Sequence, residues 1–192
     1  MKNLKGIFFD LDGTLVDSKL NFTLIKEEIG INQDQAILEY IDTLEDQDQI
    51  KSALDIVAFH EEQGALNSVI IPGVSEFLEI LTMKGIPTAI ITRNSKSVAL
   101  KTVEMHALPF EHIITREDFP PKPDPSSLNH LLELYKLQPN ECCYIGDYIF
   151  DLQAAKNAKV KAGLFLNEKN AQFKKDSDFS FTCFFELQKL LF

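Results

Sequence analysis

Short apolar runs alternate with amphipathic segments along most of this chain. The runs that predict buried strands are Ile7–Phe9, Pro87–Ile91, Ile113–Ile114, Cys142–Ile145 and Ala162–Leu166, with an edge strand at Phe179–Phe184. The segments with apolar residues at helical spacing are Val74–Lys84, Lys96–His106, Ser126–Tyr135 and Phe150–Ala158. This alternation predicts an α/β fold, in which a doubly wound, Rossmann-like parallel sheet is covered by helices on both faces.

One stretch departs from the alternation. Residues 19–71 show helical periodicity without a convincing strand, and they predict three helices at Asn21–Ile29, Gln33–Leu44 and Gln49–Glu62. The stretch holds eleven acidic residues and three lysines, so it carries most of the net charge of the chain. We predict a small α-helical cap domain at 19–71, inserted into a core domain formed by 1–18 and 72–192.

Composition and charge narrow the class of protein. The chain of 192 residues is 45% hydrophobic and 25% charged, as expected for a globular enzyme. A formal net charge of −10 argues against nucleic acid or an anionic membrane surface as a partner. No apolar stretch approaches the roughly 20 residues that span a membrane. Three cysteines without metal-like spacing and the lack of a secretory signal predict a cytoplasmic protein. The sequence does not distinguish a monomer from a homodimer.

Polar side chains follow several of the predicted strands. Because ligands of parallel α/β sheets bind beyond the carboxyl ends of the strands, we expect these side chains to share one edge of the sheet. They are Asp10 and Asp12 after the first strand, Thr92, Arg93 and Asn94 after the second, Asp147 and Asp151 after the fourth, and Lys122 in a proline-rich loop. Taken singly, each has an ordinary structural interpretation, such as a helix cap, a turn or a solvated lysine.

Clustered carboxylates repel one another, and a hard cation relieves that repulsion. Mg²⁺ prefers oxygen ligands, and Asp10, Asp147 and a backbone carbonyl would suit it. Asp10 is then a candidate nucleophile for phosphorus, while Lys122 and Thr92 are candidate ligands of the phosphoryl oxygens. Asp12, two residues further along the chain, is a candidate general acid and base.

At these residues the sequence resembles the haloacid dehalogenase-like (HAD) superfamily, in particular its phosphoglycolate phosphatase-like branch with a small helical cap. The matching motifs are Asp10–Thr14 (DLDGT), Thr92 after an apolar strand, Lys122 before Pro123, and Gly146–Asp151 (GDYIFD). The resemblance extends over essentially the whole chain.

The resemblance implies a role for each residue of the motifs. It implies that Asp10 is the nucleophile and a magnesium ligand, and that Asp12 is the general acid and base with a backbone carbonyl on the metal. Asp147 would ligate the metal directly, whereas Asp151 would act through water or by orienting Lys122. Thr92 and Lys122 would bind the phosphate, with a further contact from Asn94, and Arg93 is a candidate for the same site.

Two features depart from the family pattern. Lys159 stands where the family usually has a glycine after Ala154–Ala158, at a helix end far from the motifs. The cap is also poor in cations, although related phosphatases of carboxylated substrates often need a cation there.

The sequence thus predicts a Mg²⁺-dependent phosphatase that hydrolyses a small phosphorylated metabolite through a phospho-aspartate. A sugar phosphomutase shares every one of these core residues and is the nearest alternative. A signalling domain that is phosphorylated on aspartate, or a catalytically silent protein with this fold, fits the motifs less well. The identity of the substrate and the specificity residues of the cap are left open.

Overall fold

The computed structural model describes residues 4–192 and contains a sheet of six parallel strands. The strands of the described residues are β1 (Gly6–Phe9), β2 (Val16–Asp17), β3 (Val69–Ile70), β4 (Thr88–Ile91), β5 (His112–Ile114), β6 (Cys142–Gly146), β7 (Lys161–Phe165) and β8 (Phe179–Phe181). The order across the sheet is β5-β4-β1-β6-β7-β8. The chain therefore winds outward in both directions from β1, which confirms the predicted doubly wound α/β fold.

Helices cover both faces of this sheet. The helices are α1 (Phe22–Ile29), α2 (Ile37–Ile41), α3 (Gln47–Leu66), α4 (Val74–Met83), α5 (Lys96–Met105), α6 (Ser126–Tyr135), α7 (Ile149–Asn157) and α8 (Phe184–Leu191). Apolar residues of α4, α5 and α8 pack on one face, and those of α6 and α7 pack on the other. None of the helices within residues 4–192 has the length and apolar character needed to cross a membrane.

Strand alternation divides the buried side chains between the two faces. Ile7, Phe9 and Cys143 belong to one apolar core, whereas Phe8 and Cys142 belong to the other. Burial raises the pKa of the Cys142 thiol to about 11 and that of Cys143 further still. Both cysteines are therefore buried, protonated core residues.

The chain separates into two compact units by its internal contacts. One unit runs to Asp17 and resumes from Val69 to Phe192, and the other is Ser18–Ser68. The smaller unit contains α1 to α3 around its own core of Ile25, Ile41, Ala53 and Val57. The first three residues of the predicted core segment 1–18 lie outside the described residues.

Three local predictions are wrong. The predicted helix Gln33–Leu44 is only Ile37–Ile41. A strand does occur within 19–71, because Val69–Ile70 pairs antiparallel with Val16–Asp17 and is too short to produce a pattern. The predicted edge strand Phe179–Phe184 stops at Phe181.

A C-terminal helix replaces the end of that edge strand. Phe184, Leu187 and Leu191 recur at helical spacing and bury one side of α8. The Glu186 carboxylate accepts hydrogen bonds from the Thr182 backbone N–H (2.8 Å) and hydroxyl (3.0 Å), which stabilises the turn into the helix. The alternating sequence before Phe184 predicts a strand only because this turn is not visible in the pattern.

Candidate active site

The candidate site lies where the sheet changes winding direction, at the carboxyl ends of the three central strands. Asp10 directly follows β1, Thr92 follows β4 and Asp147 follows β6. The backbone N–H of Asp10 donates to the Ile145 carbonyl at 2.8 Å, so the position of Asp10 is fixed by strand pairing. The sheet thus brings together side chains that are far apart in the sequence, as the switch point of such a fold requires.

Lys122 lies at the centre of this cluster. Its side chain is 4% exposed, and Nζ lies 2.5 Å from Asp10 Oδ1 and 2.7 Å from Asp151 Oδ1. The same ammonium lies 2.9 Å from the Tyr144 hydroxyl and 3.1 Å from the Ile91 carbonyl. Burial opposes the charge of Lys122, but Asp10 and Asp151 outweigh it and raise the pKa above its ordinary value.

Three carboxylates form a compact acidic group. Among the described residues, Asp10, Asp147 and Asp151 each place an oxygen within 4.8 Å of the other two. Burial raises the pKa of Asp10 well above its ordinary value, and the charges of Asp151 and Asp147 add to this rise. Burial also raises the pKa of Asp147 to about 7, again with a contribution from Asp151. Three carboxyl groups at this spacing offer the oxygen ligands that a hard divalent cation prefers. Such a cation would favour their charged forms and so offset the raised pKa values.

Two glycines make room for these carboxylates. Gly13 has φ of +80°, and a Cβ there would lie 2.5 Å from Asp147 Oδ2. At Gly146, a Cβ would collide with the Asp151 carboxyl group. Asp147 and Asp151 can occupy their positions only because neither glycine carries a side chain.

Asp12 stands beside the acidic group and is held by Asn94. Asn94 Nδ2 donates to Asp12 Oδ2 at 2.6 Å, and the Asn94 backbone N–H donates to the Thr92 hydroxyl at 3.1 Å. Thr92 and Asn94 are both buried, whereas Asp12 is half-buried. The contact between Asn94 and Asp12 was not expected from the sequence, and contact of Asn94 with phosphate stays a prediction.

A family model described as haloacid dehalogenase-like hydrolase matches residues 20–165. The chain belongs to the haloacid dehalogenase-like hydrolases. It is 30% identical to an uncharacterised hydrolase of Saccharomyces cerevisiae over 88% of this chain and 81% of the yeast protein. It is 29% identical to a phosphoglycolate phosphatase of Vibrio cholerae, over 82% of this chain and 81% of that protein.

Solved structures show the same fold. A haloacid dehalogenase-like family hydrolase of Streptococcus pneumoniae aligns with a TM-score of 0.75 at 23% identity, covering 98% of each chain. A hydrolase of Pseudomonas syringae aligns with a TM-score of 0.81 at 20% identity, covering 98% of this chain and 100% of that one. The family-model match and the Vibrio cholerae relative confirm the predicted resemblance to the phosphoglycolate phosphatase-like branch and the predicted class of enzyme, a phosphatase.

Arg93 supports the loop that carries Lys122 of this hydrolase. Its Nη1 donates to the Lys122 carbonyl at 2.5 Å, and its guanidinium lies 4.6 Å from the centre of the Phe150 ring. Arg116 Nη1 in turn donates to the Arg93 carbonyl at 2.7 Å. Through these contacts Arg93 links two loops of the site. Its role in binding phosphate stays a prediction.

Two residues of the site were missed in the sequence. Tyr144 occupies an apolar strand and therefore looks like a core residue, although its hydroxyl contacts Lys122. Asn170 belongs to no motif, yet its side-chain amide donates to the Asp147 carbonyl at 2.7 Å and to the Phe165 carbonyl at 2.8 Å. The signal that could have pointed to Tyr144 is a residue with a polar group inside a buried strand that ends at a motif.

Proposed function

We propose that this hydrolase is a Mg²⁺-dependent phosphatase that acts on a small phosphorylated metabolite through a phospho-aspartate at Asp10. The observation that carries this proposal is the buried ammonium of Lys122, which bridges Asp10 and Asp151 beside the carboxylate of Asp147. A cation on one side of a carboxylate and an acidic cation-binding group on the other suit attack on a negatively charged phosphoryl group.

Asp10 and Asp147 would hold Mg²⁺ through their carboxylates, together with the backbone carbonyl of Asp12. When bound, the ion screens the nucleophilic carboxylate from the phosphoryl oxygens. Asp151 Oδ1 accepts from Lys122 at 2.7 Å, and its Oδ2 accepts from the Tyr148 backbone N–H at 3.0 Å. Because both of its oxygens are engaged, Asp151 acts mainly by orienting Lys122, and any contact with the ion runs through water.

The reaction takes two displacements. In the first, an Asp10 carboxylate oxygen bonds to phosphorus, the bond from phosphorus to the leaving oxygen breaks, and Asp12 gives that oxygen its proton. In the second, Asp12 takes a proton from water, and the water oxygen bonds to phosphorus as the bond to Asp10 breaks. Inorganic phosphate leaves and the Asp10 carboxylate is restored. Lys122 and Thr92 bind the phosphoryl oxygens in both steps.

Substrate preference would come from Ser18–Ser68, which we propose to be the cap. This unit carries eleven acidic residues and three lysines. A relative in Vibrio cholerae is named phosphoglycolate phosphatase. The acidic character of the unit favours a substrate whose leaving group is neutral or positively charged over a carboxylated one such as phosphoglycolate. We further propose that the protein is cytoplasmic and acts as a monomer or homodimer.

The test is phosphate release from a panel of phosphorylated metabolites, with Mg²⁺ and with chelator. We expect Asp10→Asn to abolish release and to prevent labelling of the protein by radioactive phosphate from the substrate. The surface variant Asp176→Asn is the control and should match the parent. Full release in chelator, or by Asp10→Asn, would refute the mechanism. Steady release without a bisphosphate activator would support the phosphatase, whereas isomerisation of a sugar phosphate that requires such an activator and releases no phosphate would identify a phosphomutase instead.

A further inference from the structure

The Lys122 ammonium has more hydrogen-bond acceptors than it has protons. Four oxygens surround Nζ: Asp10 Oδ1 at 2.5 Å, Asp151 Oδ1 at 2.7 Å, the Tyr144 hydroxyl at 2.9 Å and the Ile91 carbonyl at 3.1 Å. An ammonium has three N–H donors. One of the four contacts must therefore be satisfied in another way.

The Tyr144 hydroxyl resolves this count because it can accept and donate at once. The three shortest contacts assign the Lys122 protons to Asp10, Asp151 and Tyr144. The Tyr144 hydroxyl then donates to the Ile91 carbonyl at 3.0 Å, which is nearer than its other acceptor, Asp151 Oδ1 at 3.2 Å. In this arrangement each proton has one acceptor, and Tyr144 connects Lys122 to the last residue of β4.

The contact between Lys122 and Tyr144 joins a loop residue to a residue of a buried strand. Lys122 lies in the loop between β5 and α6, so its long side chain depends on other elements for its direction. Tyr144 lies in the central strand β6, and its side chain is 1% exposed within the core that includes Phe8 and Leu128. The strand therefore supplies a fixed point for a flexible side chain.

We propose that Tyr144 is a positioning residue of the phosphatase reaction, whose hydroxyl holds the Lys122 ammonium so that one N–H stays directed at the phosphoryl oxygens. Asp151 and Tyr144 each accept from one N–H of Lys122. The third N–H donates to Asp10 in this structure and is the one that would donate to a phosphoryl oxygen of the substrate. This inference rests on the proposed function. The effect should fall mainly on kcat, because negative charge on the phosphoryl oxygens increases in the transition state.

The chain offers a matched pair of variants. Tyr144→Phe and Tyr135→Phe each remove a tyrosine hydroxyl that donates to a carbonyl of β4, the first to Ile91 at 3.0 Å and the second to Thr88 at 3.3 Å. Both rings contact the same apolar core, but only the Tyr144 hydroxyl contacts Lys122, at 2.9 Å, and Asp151 Oδ1, at 3.2 Å. Tyr144→Phe should fold, because the Ile91 carbonyl can still accept from Lys122 at 3.1 Å and is not left unpaired.

Two measurements test the proposal. The first is the ¹⁵N NMR signal of the Lys122 ammonium, assigned by its loss in Lys122→Met. We expect Tyr144→Phe to shift this signal or speed its proton exchange, and Tyr135→Phe to leave it unchanged. The second is the kinetics of phosphate release with Mg²⁺. We expect kcat to fall about 10- to 100-fold in Tyr144→Phe, with little change in KM, because the N–H that Tyr144 held turns to the Ile91 carbonyl and the ammonium is misaligned.

Each outcome decides a separate point. An unchanged Lys122 signal in Tyr144→Phe would overturn the proposal whether or not the parent protein is active. A shifted signal with an unchanged kcat would overturn the role in the reaction, as would an equal loss of kcat in Tyr135→Phe. If the parent released no phosphate, the proposed function would fail, and the NMR comparison would still decide whether Tyr144 holds Lys122.

Discussion

The side-chain amide of Asn170 donates to the main-chain carbonyl of Asp147 at 2.7 Å, across 23 residues of sequence. Its second N–H donates to the Phe165 carbonyl at 2.8 Å, and its Oδ1 accepts from the Asn167 backbone N–H at 2.8 Å. Asn170 is only 3% exposed, and its side chain makes these hydrogen bonds in a buried position. The loop after β7 is therefore attached to the residue that we propose as a direct ligand of Mg²⁺.

Asn170→Ala should weaken Mg²⁺ binding by about tenfold or more, which is the effect expected when a group supporting a metal ligand is lost. Calorimetric titration with Mg²⁺ measures this directly and requires no substrate. Asn67→Ala is the control, because Asn67 Nδ2 donates to a backbone carbonyl at 2.7 Å in the smaller unit. Equal Mg²⁺ affinity in the two variants would show that Asn170 has no part in holding Asp147.

A methyl group at Gly13 should displace Asp147 and abolish Mg²⁺ binding together with activity. Gly30 provides a matched control, because it has φ of +82° against +80° at Gly13 but no atom within 4 Å of its added Cβ. Both Gly13→Ala and Gly30→Ala pay the strain of a left-handed conformation, about 1–2 kcal/mol of stability. Only Gly13→Ala meets Asp147 Oδ2, at 2.5 Å. Mg²⁺ binding that survives in Gly13→Ala would argue against the proposed metal site.

Replacing Lys159 by glycine should stabilise the protein. Lys159 follows the end of α7 with φ of +60°, a conformation that favours glycine. It is exposed, so the loss of its side chain removes little packing. We expect Lys159→Gly to raise the free energy of unfolding by about 1 kcal/mol and to leave activity unchanged. Urea denaturation measures this. Lys156→Gly, within the helix, should instead lower stability by about the same amount. A stability loss in Lys159→Gly would mean that its side chain makes a favourable contact.

The part of the site that could be predicted from the sequence consists of residues in short motifs next to strand ends. Asp10, Lys122 and Asp147 are examples, because parallel strands deliver the residues that follow them to one edge of the sheet. Tyr144 could not be assigned in the same way. A buried strand tolerates a tyrosine for its ring alone, and the direction of its hydroxyl depends on where Lys122 lies.

The same distinction applies to the fold. The central strands are continuous apolar runs, so their number and parallel arrangement follow from the pattern. Elements that form only through contacts between distant parts of the sequence cannot be predicted from the pattern. Val69–Ile70 becomes a strand only because it meets Val16–Asp17. The start of α8 depends on the Glu186 carboxylate reaching back to Thr182, which no periodicity reveals.

In the metal-free protein, the free energy of unfolding should fall as the pH rises from about 4 to 7. Burial raises the pKa of Asp147 from an ordinary value of 3.8 to about 7, and burial raises the pKa of Asp10 in the same direction. Between these values the folded protein holds a proton that the unfolded chain releases, so raising the pH favours unfolding.

We expect urea denaturation in chelator to show this loss for the parent and for the surface control Asp176→Asn. Asp147→Asn, which cannot ionise, should lose clearly less stability over the same pH range. Mg²⁺ should restore the parent at pH 7.5, because it favours the charged carboxylate. Parallel losses in the parent and Asp147→Asn would show that Asp147 is ionised in the metal-free protein.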